Sequence, residues 1–295
     1  MFLDLAYFAK IMLRLGNHLD NVLNTPSGVL DLSTPKIMGI VNLTPDSFYD
    51  GGNYNTIDDV LKKVNAMLNE GADILDFGGY STRPGAKDVS EKEEISRVLE
   101  PIKEAKKAFP KSIISVDTFR FRVAELALSA GADIINDISA GDGSNEKIFQ
   151  LVKDSKTPYI IMHKQGSPKN MQTNPQYQNV TNEVFGYLAN KVSKLNEMSI
   201  YDVVIDPGFG FGKTVKHNYQ LLKNLASFQT LGPIMVGVSR KSMINKVLNC
   251  NPSQSLNGTS VLHAFSLNNG AKVLRVHDVK PAFEAIQLFE QFIGS

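Results

Sequence analysis

Cysteine is almost absent from this sequence: Cys250 is the only one in 295 residues. A lone thiol cannot form an intramolecular disulfide or a cysteine-rich metal site, which fits a reducing, cytoplasmic setting. Charge of either sign is not in excess. Lysine and arginine total 31 against 30 acidic residues, a net charge of +1. No overall field draws in a nucleic acid or an acidic membrane, so any anion must be met by a local cluster. Long hydrophobic runs are missing too. The most apolar segment, residues 1–21, is interrupted by Asp4 and Lys10 and is too broken to span a bilayer. It also lacks the order of a signal peptide, positive charge first and then an unbroken apolar centre. An amphipathic helical extension is expected there, with an organelle transit sequence as the alternative. Phosphate loops are lacking as well. The stretch DPGFGFGKT (206–214) comes near one, but Gly208 and Gly212 enclose three residues where the nucleotide loop needs four. The strict alternation of Gly208, Gly210 and Gly212 breaks the dinucleotide pattern as well.

What is present is a repeated phrase. With 42% hydrophobic and 21% charged residues the chain has the make-up of a globular protein with a sizeable core. From residue 36 on, short β-branched runs end in a polar residue and give way to a loop and a helical pattern. The runs are KIMGIVNLT (36–44), ADILDFGG (72–79), SIISVDTF (112–119) and ADIINDIS (132–139). They continue with YIIMHK (159–164), YDVVIDPG (201–208), IMVGVSRK (234–241) and AKVLRVHDV (271–279). Runs without polar alternation suit strands buried on both faces. Between them, Ile57, Val60, Leu61, Val64, Met67 and Leu68 share one helical face. Ser90 and Glu93 have the spacing of a capping box, and Pro281 suits a first helical turn. Gly71, Gly131 and Gly270 each precede a strand, as left-handed helix ends do. Eight such units predict an α/β fold, a (β/α)8 TIM barrel over residues 35–295 behind an N-terminal extension, 1–34. An open doubly wound sheet is the other arrangement, but no glycine-rich turn follows the first strand.

In such barrels the active site lies at the C-terminal strand ends. Those ends carry Asn42, Asp76, Asp117, Asn136, Asp206, Ser239, Lys241, Arg275 and His277. Period-two alternation puts Ser115 with Asp117, Val204 with Asp206, Ser239 with Lys241, and Arg275 with His277 on common sides. Taken singly, a strand-end aspartate more often caps a helix than reacts. His163 and His217 are expected to be surface or capping residues, and Arg240, of opposite parity to Lys241, structural or solvated. Taken together, three carboxylates, basic residues and an amide at one mouth would be costly to bury without a polar ligand. Ser239, Lys241, Ser242, Arg275 and His277 form an expected anion pocket on the last two strands. Asp117, Asn136 and Asp206 suit a flat heterocycle rich in N–H groups. No zinc spacing occurs; a Mg2+ ion held through phosphate oxygens and one side-chain oxygen is compatible with the set. The loops TPDSFYDGGNYN and YSTRPGAKDVS have the composition of lids that close over a substrate.

The segments GIVNLTPDSF, GGYSTRPGA, SVDT, INDI, DPGFGFGK, SRKS and RVHDV, in this order, resemble the dihydropteroate synthase family from about Pro35 to the end. The resemblance implies condensation of 6-hydroxymethyl-7,8-dihydropterin pyrophosphate with p-aminobenzoate, giving 7,8-dihydropteroate and pyrophosphate in folate synthesis. Enzymes of that family are the sulfonamide targets, and the resemblance implies a homodimer; the net charge of +1 points to no nucleic-acid or membrane partner. By the same resemblance Asp117, Asn136, Asp206 and Lys241 hold the pterin. Asn42, Arg275 and His277 hold the pyrophosphate, with Asn42 on Mg2+. Thr82, Arg83 and Ser242 lie toward p-aminobenzoate, with Phe211 against an aromatic ring. The implied catalytic set is Arg83, Lys241, Arg275 and His277. Tyr80 departs from a common Glu and Lys164 from a common Met, changes expected to tune loop packing. Three other readings remain open: a methyltetrahydrofolate–corrinoid methyltransferase, a lyase using Lys241 as a Schiff-base amine, and a non-catalytic binding barrel.

Overall fold

The computed structural model describes residues 21–43, 56–81, 88–166 and 171–295. An antiparallel hairpin, β1 (Val22–Thr25) and β2 (Gly28–Asp31), precedes the first barrel strand, β3 (Lys36–Asn42). Next come α1 (Ile57–Asn69), β4 (Ile74–Gly78), α2 (Glu91–Ala108), β5 (Ile113–Asp117), α3 (Phe121–Ala130) and β6 (Ile134–Asp137). The chain continues through α4 (Lys147–Ser155), β7 (Tyr159–Met162), α5 (Val180–Glu197), β8 (Val203–Asp206) and α6 (Val215–Lys223). It ends with β9 (Ile234–Val236), α7 (Ser242–Leu248), α8 (Leu256–Asn268), β10 (Ala271–Val276) and α9 (Val279–Gly294). Strands β3 to β10 close into a parallel barrel in which β10 pairs with β3.

Local chemistry explains the boundaries. Gly71, Gly131 and Gly270 have φ of 102°, 111° and 89°, so each reverses the chain between a helix and the next strand without a Cβ penalty. Ser90 caps α2 by accepting the Glu93 N–H at 3.2 Å. The reciprocal half of the expected box does not form. The Glu93 carboxylate instead takes Arg97, one turn on, at 2.6 Å.

Side-chain parity divides the core in two. Residues pointing outward, such as Ile37, Leu75, Val116, Ile161 and Leu274, pack under the helices. Residues pointing inward form rings. The lowest contains Met38, Ile74, Ile113, Ile134, Ile160, Val204, Met235 and Val273, one from each strand. Leu23, Leu30 and Leu32 join that same cluster at 3%, 4% and 0% exposure. The hairpin therefore floors the barrel. Its turn is pinned by Ser27, whose hydroxyl donates to Asp133 at 2.6 Å, with Lys106 on the other carboxylate oxygen at 2.8 Å. Part of the stretch expected as an extension, 1–34, thus supplies core; residues 1–20 lie outside the described residues.

Candidate active site

Moving up one parity step from the apolar floor changes the chemistry of the ring. Ile40, Asp76, Ser115, Asn136, Met162, Asp206 and Arg275 follow two residues after their floor partners on β3 to β8 and β10. Asn42, Asp117 and His277 follow two residues later again. Asp76, Asp117 and Asn136 are close in space because parallel register sets Asp76 beside Ser115 and Asp117 beside Asn136. The expected alternation on the seventh barrel strand does not continue as strand. β9 stops at Val236, and the chain then turns, with Lys241 N–H donating to Val238 C=O at 3.2 Å and Arg240 at φ 55°. Ser239 and Lys241 reach the mouth through this turn rather than through a pleat.

The centre of the site is an ion-pair network. Arg275 Nε donates to Asp76 Oδ2 at 2.6 Å and Nη2 to Asp117 Oδ2 at 2.6 Å. Asn136 Nδ2 donates to the same Asp76 Oδ2 at 3.1 Å. Burial pushes the Asp117 carboxyl up to about 7 against the opposing pull of Arg275. Burial also disfavours the Arg275 charge, but Asp76 and Asp117 outweigh it and hold its pKa above the ordinary value. Asp206 is raised by burial and steadied by Lys241 and by the Gly208 N–H, which donates to its Oδ1 at 2.7 Å. Lys241 Nζ donates to Phe209 C=O at 2.5 Å and stands 4.9 Å from the Phe211 ring centroid. Burial lowers its pKa to about 8, with Asp206 opposing. At the rim Ser239 Oγ lies 3.1 Å from His277 Nδ1 and accepts the His277 N–H at 3.2 Å.

The alternating glycines now have a physical reason. Gly208, Gly210 and Gly212 have φ of 73°, 85° and 67°. A Cβ on Gly208 would fall 1.9 Å from His163 C=O, and one on Gly212 2.3 Å from Gln165 C=O. The loop presses backbone against backbone where no side chain fits. It is held from beneath by Lys213, a buried ammonium that donates to Gly208 C=O at 2.8 Å and Phe211 C=O at 3.1 Å. Lys213 also sits 3.0 Å from His163 Nδ1. Burial brings Lys213 down to about 7 and, with the Lys213 charge, His163 down to about 3. His163 is therefore a buried partner of this strut and not the surface residue its sequence context predicts. Its position one past an apolar strand, with a lysine in the facing loop, was the available signal.

The remaining residues sort plainly. His217 closes a capping box with Thr214 at the start of α6. Arg240 makes a two-pronged pair with Asp278, both at 2.7 Å. Tyr80 donates to Asp88 at 3.3 Å with the Arg120 guanidinium 5.2 Å from its ring, and Lys164 stands 5.7 Å from the Phe119 ring. Ser242 opens α7 beside Lys241. Asn42 ends β3, and its side chain hydrogen-bonds to no described residue. Thr82 and Arg83, the loop after β3 and part of the loop after β4 lie outside the described residues. Among the described residues no three His, Cys, Asp or Glu side chains gather as metal ligands, and no helix is long and apolar enough to cross a membrane.

Comparison with known proteins agrees with this geometry. Residues 38–277 match the family model described as pterin binding enzyme. The chain is similar to the dihydropteroate synthase of Escherichia coli, 44% identical over 90% of this chain and 94% of that protein. It is 43% identical to that of Haemophilus influenzae, over 88% and 95%. The Yersinia pestis dihydropteroate synthase solved with a sulfonamide drug superposes with a TM-score of 0.88 at 38% identity, covering 93% of this chain and all of that one. The Thermus thermophilus enzyme in complex with 4-aminobenzoate gives 0.82 at 34% identity, covering 92% and 99%.

Proposed function

The chain belongs to the pterin-binding enzymes, in their dihydropteroate synthase branch, and from that membership we infer how its barrel mouth divides the work of the reaction. The enzyme is a transferase that joins the dihydropterin-methyl group of 6-hydroxymethyl-7,8-dihydropterin pyrophosphate to p-aminobenzoate, releasing pyrophosphate. The observation that carries the assignment of roles is the Arg275 guanidinium lying between Asp76 and Asp117, beside Asn136 on the same inward face. Acceptors for a heterocycle and a fork for an anion meet in one network.

The heterocycle is assigned to Asp117, Asn136 and Asp206. Asp206 spends Oδ1 on the Gly208 N–H, which leaves Oδ2 for a ring N–H. Lys241 lies across Phe211 at the edge of that slot. The pyrophosphate is assigned to Arg275, whose planar fork suits phosphate oxygens, and to His277 beside Ser239. Thr82, Arg83 and Ser242 are assigned to the p-aminobenzoate side. Asn42 is the oxygen donor proposed for Mg2+. One amide oxygen at the mouth, with the rest of the shell from pyrophosphate and water, fits how this ion binds. When bound, it would offset charge on the pyrophosphate.

The methylene C–O bond breaks with its electron pair leaving on pyrophosphate, toward Arg275 and His277. The electron-rich pterin spreads the resulting positive charge, and the carboxylates of Asp117 and Asp206 stabilise it electrostatically. The aniline nitrogen then bonds to the methylene carbon and loses a proton, for which the departing pyrophosphate is an acceptor. No side chain has to form a covalent bond. A cytoplasmic setting is proposed from the lone Cys250. A homodimer is proposed with support from exposed Val261 and Phe265 on α8 and Leu288 and Phe292 on α9.

A turnover assay with the pterin pyrophosphate and p-aminobenzoate, with and without Mg2+, tests the reading. Formation of dihydropteroate and pyrophosphate in equal amounts is expected, stimulated by Mg2+. Methyl transfer from methyltetrahydrofolate without pyrophosphate release would overturn it.

A further inference from the structure

We propose that Asp76 is a positioning residue that sets both halves of the pterin pyrophosphate site at once. The proposal rests on the reading of Arg275 as the anion fork and Asn136 as a pterin contact. Asp76 is fully buried on the inward face of β4, two residues above the floor residue Ile74. One of its oxygens, Oδ2, accepts Arg275 Nε at 2.6 Å and Asn136 Nδ2 at 3.1 Å. A single carboxylate oxygen therefore couples the two subsites.

Two consequences follow from the chemistry. With its Nδ2 drawn to Asp76, Asn136 is turned so that Oδ1 is left for the ligand. That completes a row of acceptors with Asp117 and Asp206, matched to a ring edge carrying N–H groups. The second concerns Arg275, which has two carboxylate partners. Asp117 is also wanted by the heterocycle. Once Asp117 turns to the ring, Asp76 is the partner that still holds the guanidinium with its fork toward the pyrophosphate. Nε is the atom Asp76 engages, so the side chain is fixed while the terminal nitrogens stay available.

The use of the carboxylate also argues against a purely structural role. Asp76 Oδ1 is buried and has no hydrogen-bond partner among the described residues, and the same holds for Ser115 Oγ, its register partner on β5. Leaving buried acceptors unpaired costs stability. A group selected only to brace the barrel would spend both oxygens on protein donors, as Asp137 does on Ser139, Gly141 and Tyr159.

The test compares wild type with Asp76→Ala and Asp76→Asn by calorimetry of bare pterin, calorimetry of inorganic pyrophosphate, and steady-state kinetics. Wild-type turnover is the control on the reaction assignment; its absence would remove that assignment without bearing on the variants' binding. Asp76→Ala should weaken both ligands by about tenfold or more each, the loss of one charge-assisted contact per subsite. Asp76→Asn keeps an acceptor oxygen for Asn136 but no charge for Arg275. It should regain most of the pterin affinity while kcat stays depressed. Wild-type affinity for either ligand in folded Asp76→Ala overturns the proposal. If the alanine variant does not fold, the amide variant decides alone. Retained pterin affinity with depressed kcat supports the role, and wild-type kcat or lost pterin affinity ends it.

Discussion

Arg275 and Asp117 share a hydrogen bond, so each can be changed to ask what the other contributes. Arg275→Lys keeps a charge beside Asp117 but removes the planar fork. Turnover should fall by a factor corresponding to roughly 2–4 kcal/mol of transition-state stabilisation, while bare pterin binds nearly as well. Calorimetry paired with steady-state kinetics checks this; lost pterin affinity with an unchanged rate would reverse the pocket assignment. Asp117 offers a second handle because burial pushes its carboxyl up to about 7. Protonation turns an acceptor into a group that also donates, so bare pterin affinity should weaken as pH falls below about 7. Asp117→Asn should cost about 1.5–3 kcal/mol of pterin binding and make what remains flat with pH over that range. A variant that keeps the wild-type pH dependence would exclude Asp117 as its source.

At the scale of elements, the hairpin is the part whose role changes most between sequence and structure. Leu23, Leu30 and Leu32 close the barrel floor with Met38, Ile74 and Val273. Burying a leucine is worth about 2 kcal/mol, so the hairpin contributes several kcal/mol although no signature residue lies in it. Deleting residues 1–32 should lower the thermal midpoint by ten degrees or so. Deleting 1–20 removes none of those leucines and none of the motif residues, and should leave turnover near that of the full chain. Differential scanning calorimetry on the two truncations separates them. Equal midpoints would mean that the floor is sealed without the hairpin. The loop after β8 is the counterpart at the mouth. A Gly208→Ala variant would place a methyl 1.9 Å from His163 C=O, and should lose catalytic efficiency and midpoint together.

For the whole molecule, buried histidines tilt stability with pH. His263 on α8 is buried with neither ring nitrogen partnered among the described residues, and burial lowers its pKa to about 4, with Asp278 opposing. The unfolded chain takes up its proton near the ordinary value of 6.5, whereas the folded one resists until about pH 4. The folded state therefore loses stability from this group as pH falls from 6.5 toward 4. His163 acts in the same direction. Removing the imidazole should cancel its share, at most about 1.4 kcal/mol per pH unit. The midpoint of His263→Leu minus that of wild type should accordingly rise between pH 7 and pH 5. A difference that stays constant over this range would contradict the assignment.

The sequence by itself determined the barrel and most of its mouth. Eight β-branched runs, each ended by a polar residue, suit strands buried on both faces. Their number and the lack of a glycine-rich turn after the first favour a closed barrel over an open sheet. Parity then sends Asp76, Asp117, Asn136, Asp206 and Arg275 inward, since a side chain's face in a strand depends on counting residues alone. Counting failed where the backbone left the strand. Ser239 and Lys241 reach the site through a turn at Arg240 with positive φ, which alternation cannot anticipate. Contacts between residues distant in the chain were equally out of reach. Lys213 beneath the glycine loop meets His163 fifty residues away, and Asp76 meets Arg275 at a separation of 199. Which carboxylate oxygen is shared, which is left unpaired, and which leucines seal the floor depend on distances set only when the sheet closes. Those distances, not the residue types, make Asp76 the joint between the two halves of the site.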